Sequence, residues 1–280
     1  MKDLREYFRP RTPEEAVALK REFGTRAVYL GGGSDLLVHR PAQVEAAIDI
    51  RRCGLDYVRE ETDAYVIGGG ALLRDAERLV SAIADGMLTE ALRHTAPWLI
   101  RNAATVAGNI ANASPAADSV PALLALDAEL ILMNSLAERV ALEDVFEGPH
   151  RTKLGDRLIR EIRLPKRASD RRSVFTKLAR SASDIALVNV AVSLDLDRQV
   201  VREARIALGA VAPTPMRARN AENLLRGRPM TSELQAAVEQ LVREEVRPIT
   251  DWRASEGYRR RMSGLLVRRA LERLALSHEL

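Results

Sequence analysis

The sequence predicts an α+β chain of about two domains, and three observations predict it. Short apolar runs alternate with helical stretches through the first half, as at Arg26 to Leu30, Ala46 to Ile50 and Tyr65 to Ile67. From Pro165 to Arg172 the composition turns polar and charged, which marks a domain junction. Beyond it three longer strand-like runs follow one another and helical stretches close the chain, the signature of helices layered on a sheet face. A chain of 280 residues is long enough to bury a full core and to divide once.

The first helix is written in its ends: Thr12 is the expected N-cap, Pro13 opens the helix, Glu15 holds the capping-box position and Gly24 is the stop. A strand from Arg26 to Leu30 then runs into Gly31-Gly32-Gly33, with Ser34 and Asp35 opening the next element. Ala46 to Ile50 reads as the strand that closes this unit, and Tyr65 to Ile67 as another that ends in Gly68-Gly69-Gly70. A helix is expected from Arg74 to Ile83, with Leu79, Val80 and Ile83 on one face, and another from Leu88 to His94. Arg101-Asn102 leads into a second loop, Thr105 to Asp118; a helix at Ser119 to Leu126 and a strand at Glu129 to Met133 follow. In the C-terminal part the strands are Val174 to Leu178, Leu187 to Leu196 and Val201 to Val211, with three helical stretches from Asn220 onward.

The two loops at Gly31 to Asp35 and Thr105 to Asp118 are the informative pair. Consecutive glycines let several backbone N–H groups converge on one point, which suits a phosphate. Two such loops, each with hydroxyl, carboxamide or carboxylate side chains close by, outline a dinucleotide site. The turn's middle residue, Gly32, is expected to hold a conformation open only to glycine. Gly68 to Gly70 reads either as a third ligand contact or as a close strand-to-helix turn. A Rossmann fingerprint is excluded, because the third glycine is replaced by Leu36 after the first turn and by Leu73 after Gly68 and Gly70. A Walker loop is excluded too, since no lysine follows a glycine.

Composition removes other classes. The net charge is only +4, from 43 Lys and Arg against 39 Asp and Glu, and aromatics make up 4%, so nucleic acid is not an expected partner. The single Cys53 cannot form a disulfide within the chain or hold an iron–sulfur cluster alone. His39, His94, His150 and His278 are too scattered for a zinc motif. No run reaches the length of a membrane span and no signal peptide is read at the start, so the expected location is cytoplasmic.

The residues of the two loops, with Phe175-Thr176-Lys177, Arg180, Asp184, Ala212 to Arg217 and Trp252 to Arg259 in weaker support, resemble the FAD-binding subunit of the molybdenum hydroxylases, the xanthine dehydrogenase group. The resemblance covers essentially the whole chain. It implies a PCMH-like FAD-binding domain over 1–167, made of α+β subdomains of about 1–54 and 55–167. A C-terminal domain over 172–280 would follow, a three-stranded sheet packed on helices.

The resemblance also implies site residues. Tyr29 and Leu30 would lead into Gly31, Gly32, Gly33, Ser34 and Asp35, which would wrap the diphosphate of FAD. Thr105, Gly108, Asn109, Asn112 and Asp118 would serve the other side through diphosphate, ribityl or ribose oxygens. Leu158, Phe175 and Lys177 would approach the flavin ring or the adenine end. Asp118 has a second reading as a helix N-cap, Asn109 and Asn112 as loop stabilisers, and Lys177 as a surface lysine. One departure is Ala107, where relatives carry a glycine before Gly108; another is the extra glycine in the first turn. The implied function is an electron-transfer oxidoreductase subunit with no catalytic acid, base or nucleophile and no metal of its own. Molybdopterin would sit on a large partner chain and iron–sulfur clusters on a small one, with NAD or another acceptor beyond. A self-contained FAD oxidase and a non-redox nucleotide-binding assembly module are the alternatives.

Overall fold

The computed structural model describes residues 4–39, 41–79, 86–166 and 171–276. Its first unit contains β1 (Glu6–Phe8), α1 (Pro13–Phe23), β2 (Ala27–Leu30), α2 (Leu36–His39) and β3 (Ala46–Asp49). The strands form a parallel sheet in the order β1-β3-β2. α1 begins as its sequence prescribes: Thr12 Oγ1 accepts the Glu15 N–H at 3.2 Å, and Gly24 ends the helix at φ +56°. The Glu15 carboxylate reaches back one residue further than the box pattern and accepts the Arg11 N–H at 2.7 Å. Ala16 and Val17 of α1 pack on Ala27, Ala46 and Ile48 to make a small core.

The second unit runs through β4 (Val58–Glu60), β5 (Ala64–Gly68), α3 (Leu73–Leu79), α4 (Met87–His94), α5 (Trp98–Arg101), α6 (Val106–Asn112), α7 (Ser119–Ala125), β6 (Glu129–Met133), β7 (Ala137–Ala141), β8 (Phe146–Gly148), β9 (Arg151–Thr152) and β10 (Leu158–Pro165). Its main sheet is antiparallel, in the order β4-β5-β10-β6-β7, with a bulge in β10 between Ile159 and Glu161. The part of the expected helix that includes Val80 and Ile83, and the side chain of Leu79, lie outside the described residues. The second glycine loop differs from expectation, since half of it is the helix α6. Thr105 caps that helix by accepting the Gly108 N–H at 2.9 Å, and burial of Val106 and Ile110 offsets the poor helix propensity of its Gly and Asn residues.

The third unit contains β11 (Arg171–Leu178), β12 (Val188–Asp197), β13 (Val200–Gly209), β14 (Met216–Arg217), α8 (Arg219–Leu225), α9 (Ser232–Glu245) and α10 (Glu256–Leu276). The sheet order is β11-β12-β13-β14, so a two-residue edge strand joins the three long ones. Alternation sorts its side chains between two cores. Val190, Val192, Ile206 and Leu208 enter a core with α9 and α10, whereas Phe175, Ala191 and Ala207 join the core built around α4 and α7 of the second unit. Both faces are therefore covered, which explains why β12 is buried along nearly its whole length.

Candidate functional site

A cavity of about 760 Å³ opens where the first turn meets α6 and the segment that leads into β10. Tyr29, Leu30, Gly31, Gly32, Gly33, Ser34 and Asp35 line one side of it. Thr105, Gly108, Asn109 and Asn112 line another, and Leu158 a third. Asp118, Phe175 and Lys177 are not among its lining residues.

The three glycine-bearing segments differ in what their N–H groups do. Among the described residues, the backbone N–H groups of Gly32, Gly33, Ser34 and Asp35 have no protein partner. Those of Gly68, Gly69 and Gly70 are all spent, on the carbonyls of Tyr57, Arg160 and Leu55 at 2.8, 2.9 and 2.9 Å. A Cβ at Gly69 would stand 2.0 Å from the Ile159 carbonyl oxygen, so this triplet is a close strand-to-helix turn. It touches the cavity through Gly69 but offers no free donor there. In α6 the Val106 N–H bonds the Ala71 carbonyl and the Gly108 N–H bonds Thr105, while the Ala107 N–H has no partner among the described residues. Ala107 therefore keeps the donor that a glycine would present.

Within the first turn the positive φ belongs to Gly33, at +69°, and not to Gly32. Gly32 is required for another reason: a Cβ there would lie 1.9 Å from the Ala103 carbonyl oxygen and 2.7 Å from the Ala104 Cα. The turn is seated directly on the backbone that enters α6. Side chains join the same two segments, for Asn112 Nδ2 donates to Asp35 Oδ2 at 2.8 Å. The Asn109 Oδ1 accepts from Ser119 Oγ at 2.6 Å, which leaves its amide nitrogen without a partner among the described residues. Asn109 and Asn112 thus brace the loop with one end of the carboxamide, as the loop-stabiliser reading expects.

Below the turn, Asp49 is fully buried at the end of β3, opposite Leu30. Burial alone would raise its carboxyl. Hydrogen bonds from Arg51 and from the Tyr7 hydroxyl outweigh that and hold it at about 2. Tyr29 has its hydroxyl on the Asp156 carbonyl at 3.1 Å, and burial pushes that phenol well above its ordinary range. Cys53 lies in the small core with its thiol pushed up to about 11 by burial, an inert position.

Asp118, Lys177 and Phe175 form a separate group behind one cavity wall. Lys177 Nζ donates to Asp118 Oδ2 at 2.8 Å and to the His94 carbonyl at 3.0 Å, and Asn189 Nδ2 donates to Asp118 Oδ1 at 2.8 Å. The Lys177 side chain is 4% exposed, so the surface-lysine reading is wrong. The Asp118 side chain makes no N-cap bond, although the residue occupies the N-cap position of α7. Desolvation raises its carboxyl, against the pull of Lys177. The Phe175 ring lies 6.3 Å from that of His94. Directly after His94 come Thr95 and Ala96, which do line the cavity, and Ala96 holds φ +62°, a strained value for a residue with a Cβ.

The sequence reading passed over Ala96, and also the meeting of His39 and His150. Both histidines line the cavity with ring centroids 6.3 Å apart, although they are far apart in the chain. No spacing rule signals such a pair, because it depends on how two loops fold together. No group of three metal-ligating side chains occurs among the described residues.

The chain pairs a two-part α+β unit, whose loops line the cavity, with a helix-covered antiparallel domain, and likeness to known proteins gives the family. Residues 2–167 match the FAD binding domain in molybdopterin dehydrogenase, and residues 173–274 match the CO dehydrogenase flavoprotein C-terminal domain. The chain belongs to the FAD-binding subunits of the molybdenum hydroxylases; it is an oxidoreductase subunit and its cofactor is FAD. It is 33% identical to the carbon monoxide dehydrogenase medium chain of Hydrogenophaga pseudoflava, over 95% of both chains. It is 29% identical to the xanthine dehydrogenase FAD-binding subunit of Escherichia coli O157:H7, over 92% of both. The solved carbon monoxide dehydrogenase of Hydrogenophaga pseudoflava superposes with a TM-score of 0.93 at 33% identity, over 98% of each chain. Among the described residues no helix is long and apolar enough to cross a membrane.

The residues present fit the cofactor. Four unpartnered N–H groups in a row, the Ser34 hydroxyl and the Asn109 amide suit a diphosphate and its flanking hydroxyls. The glycine cradle at Gly32 leaves no room for a side chain between the turn and α6.

Proposed function

We propose that this chain is the electron relay of a three-chain molybdenum enzyme, and that FAD lies in the cavity between the Gly31 to Asp35 turn, α6 and the wall around Leu158. In this reading the backbone of Gly32 to Asp35 and the Ser34 hydroxyl bind the diphosphate. The side chains of Asn109 and Asn112 and the α6 entry at Thr105 to Gly108 orient the flanking sugar-like parts. Asp118, Lys177 and Phe175 hold the His94 to Ala96 wall from behind and so act on the cofactor at one remove. When bound, FAD supplies the one- and two-electron redox chemistry, while the chain supplies position and exclusion of water. Electrons reach it from iron–sulfur clusters on a small partner chain, after substrate oxidation at molybdopterin on a large one, and leave to NAD or another acceptor. The assembly is placed in the cytoplasm.

The observation that carries this reading is the run of N–H groups at Gly32 to Asp35 with no protein partner, on residues that line a cavity of about 760 Å³. Buried Cys53 adds no thiolate to a cluster, which supports the division of labour among chains. Co-expression with a candidate molybdopterin chain and a candidate iron–sulfur chain, followed by size-exclusion chromatography, tests it. A stable complex of all three, whose FAD is reduced by substrate, is the expected result. A chain that stays apart from both partners and oxidises substrate unaided would overturn it.

A further inference from the structure

Among the described residues, the charge balance of the cavity is incomplete for a diphosphate. The titratable lining groups among them are Lys20, Tyr29, Asp35, His39, His150 and Arg157. Lys20 is paired with Asp156 at 2.9 Å and Arg157 with Glu138 at 2.6 Å, so each cation already answers to an acid. Asp35 adds a negative charge beside the N–H run. Among the described lining residues, only the two histidines can add net positive charge when a dianionic group enters.

Their hydrogen bonds fix how they do so. His39 Nδ1 faces Asp35 Oδ1, and the other oxygen of that carboxylate is held by Asn112 Nδ2. His150 Nδ1 faces the Asn112 backbone carbonyl at 3.0 Å. An ionised carboxylate and a carbonyl can only accept, so each Nδ1 must carry the proton. Each neutral ring therefore keeps a bare lone pair on Nε2, and neither Nε2 has a partner among the described residues. A lone pair repels a phosphate oxygen. A protonated Nε2 donates to it with a full positive charge behind the bond.

Resting on the functional reading above, we propose that His39 and His150 are a proton-linked phosphate pair: binding of the FAD diphosphate draws protons onto their Nε2 atoms, and the imidazolium groups then hold it. Histidine changes charge in the range where such uptake matters, about pH 5 to 8. The cofactor favours the protonated rings, so its affinity falls as pH rises through that range, by up to about tenfold per pH unit for each proton linked.

The test is titration of the full-length apo chain with FAD by calorimetry at about pH 7.5, in two buffers of different ionisation enthalpy. The difference in heat reads the protons taken up directly. Net uptake is expected, and it should disappear in His39→Asn/His150→Asn. Asparagine keeps a side-chain donor at both positions and tolerates the φ of +55° at His150. The variant should still bind FAD, with an affinity that is flat between about pH 6 and 8. FAD binding without proton uptake, or uptake that persists in the double variant, would overturn this inference alone. An intact chain that does not bind FAD would overturn it together with the functional reading.

Discussion

Gly32 and the carbonyl of Ala103 are in such close approach that any Cβ at position 32 would sit 1.9 Å from that oxygen. The first turn and the entrance to α6 therefore form one unit, and a side chain there forces them apart. Gly32→Ala is expected to lower FAD affinity by about five- to a hundredfold, because overpacking costs about 1–3 kcal/mol and the displaced N–H groups are the proposed diphosphate donors. Gly32→Val should be worse. Flavin absorbance with a thermal melt of the apo chain checks this: FAD lost, fold retained. Normal occupancy in Gly32→Ala would take the turn out of the site.

Asp35 and Asn112 should be coupled. Their 2.8 Å hydrogen bond spans the two halves of the cavity wall. A double-mutant cycle with Asp35→Ala and Asn112→Ala is expected to give an interaction energy of about 0.5–1.5 kcal/mol in stability. FAD affinity should fall in each single variant. Additive effects would mean that the bond does not organise the loop.

Much of this was legible in the sequence, and the reasons are local. The Thr12 cap with Pro13 and Gly24 set the bounds of α1, and the short apolar run at Glu129 to Met133 is the strand found there. The three long C-terminal strands are rich in β-branched and apolar residues, and those strands were read within a few residues. What escaped depends on partners. The short β1 and β14 exist through pairing with β3 and β13, and α6 is decided by its Thr105 cap and buried Val106 and Ile110, against its composition. At the site, glycine content alone could not separate the Gly31 to Asp35 turn, with its free N–H groups, from Gly68 to Gly70, whose N–H groups are consumed. The placement of Lys177 behind the wall and the pairing of His39 with His150 are products of the tertiary fold.

Lys177 and Asp118 make a buried pair, and breaking it on one side should be costly. Lys177→Met leaves the Asp118 carboxylate uncompensated and is expected to cost about 3–5 kcal/mol. Lys177→Met/Asp118→Leu should recover most of the loss. Denaturant melts of the two variants decide the matter. A single variant as stable as the native chain would contradict the pairing.

Asp49 supplies an acid-sensitive term. Its folded value of about 2 lies below the ordinary 3.8, so the native state favours the ionised form. That contribution is complete above about pH 4 and is lost as pH falls toward 2, and the exposed Arg51 partner limits it to about 1–2 kcal/mol. Stability measured across that window should fall less steeply for Asp49→Asn than for the native chain. Parallel curves would show that Asp49 is not the group responsible.

We propose that this single chain holds FAD non-covalently through the Gly31 to Asp35 turn. The direct measurement is acid denaturation of the purified full-length chain, with chromatography of the released cofactor against FAD and FMN, alongside the same measurement on Gly32→Ala. A yellow protein is expected that releases all of its flavin as FAD, stoichiometric with the native chain and largely absent from the variant. A colourless chain, release of FMN alone, or flavin that stays on the denatured polypeptide would contradict it.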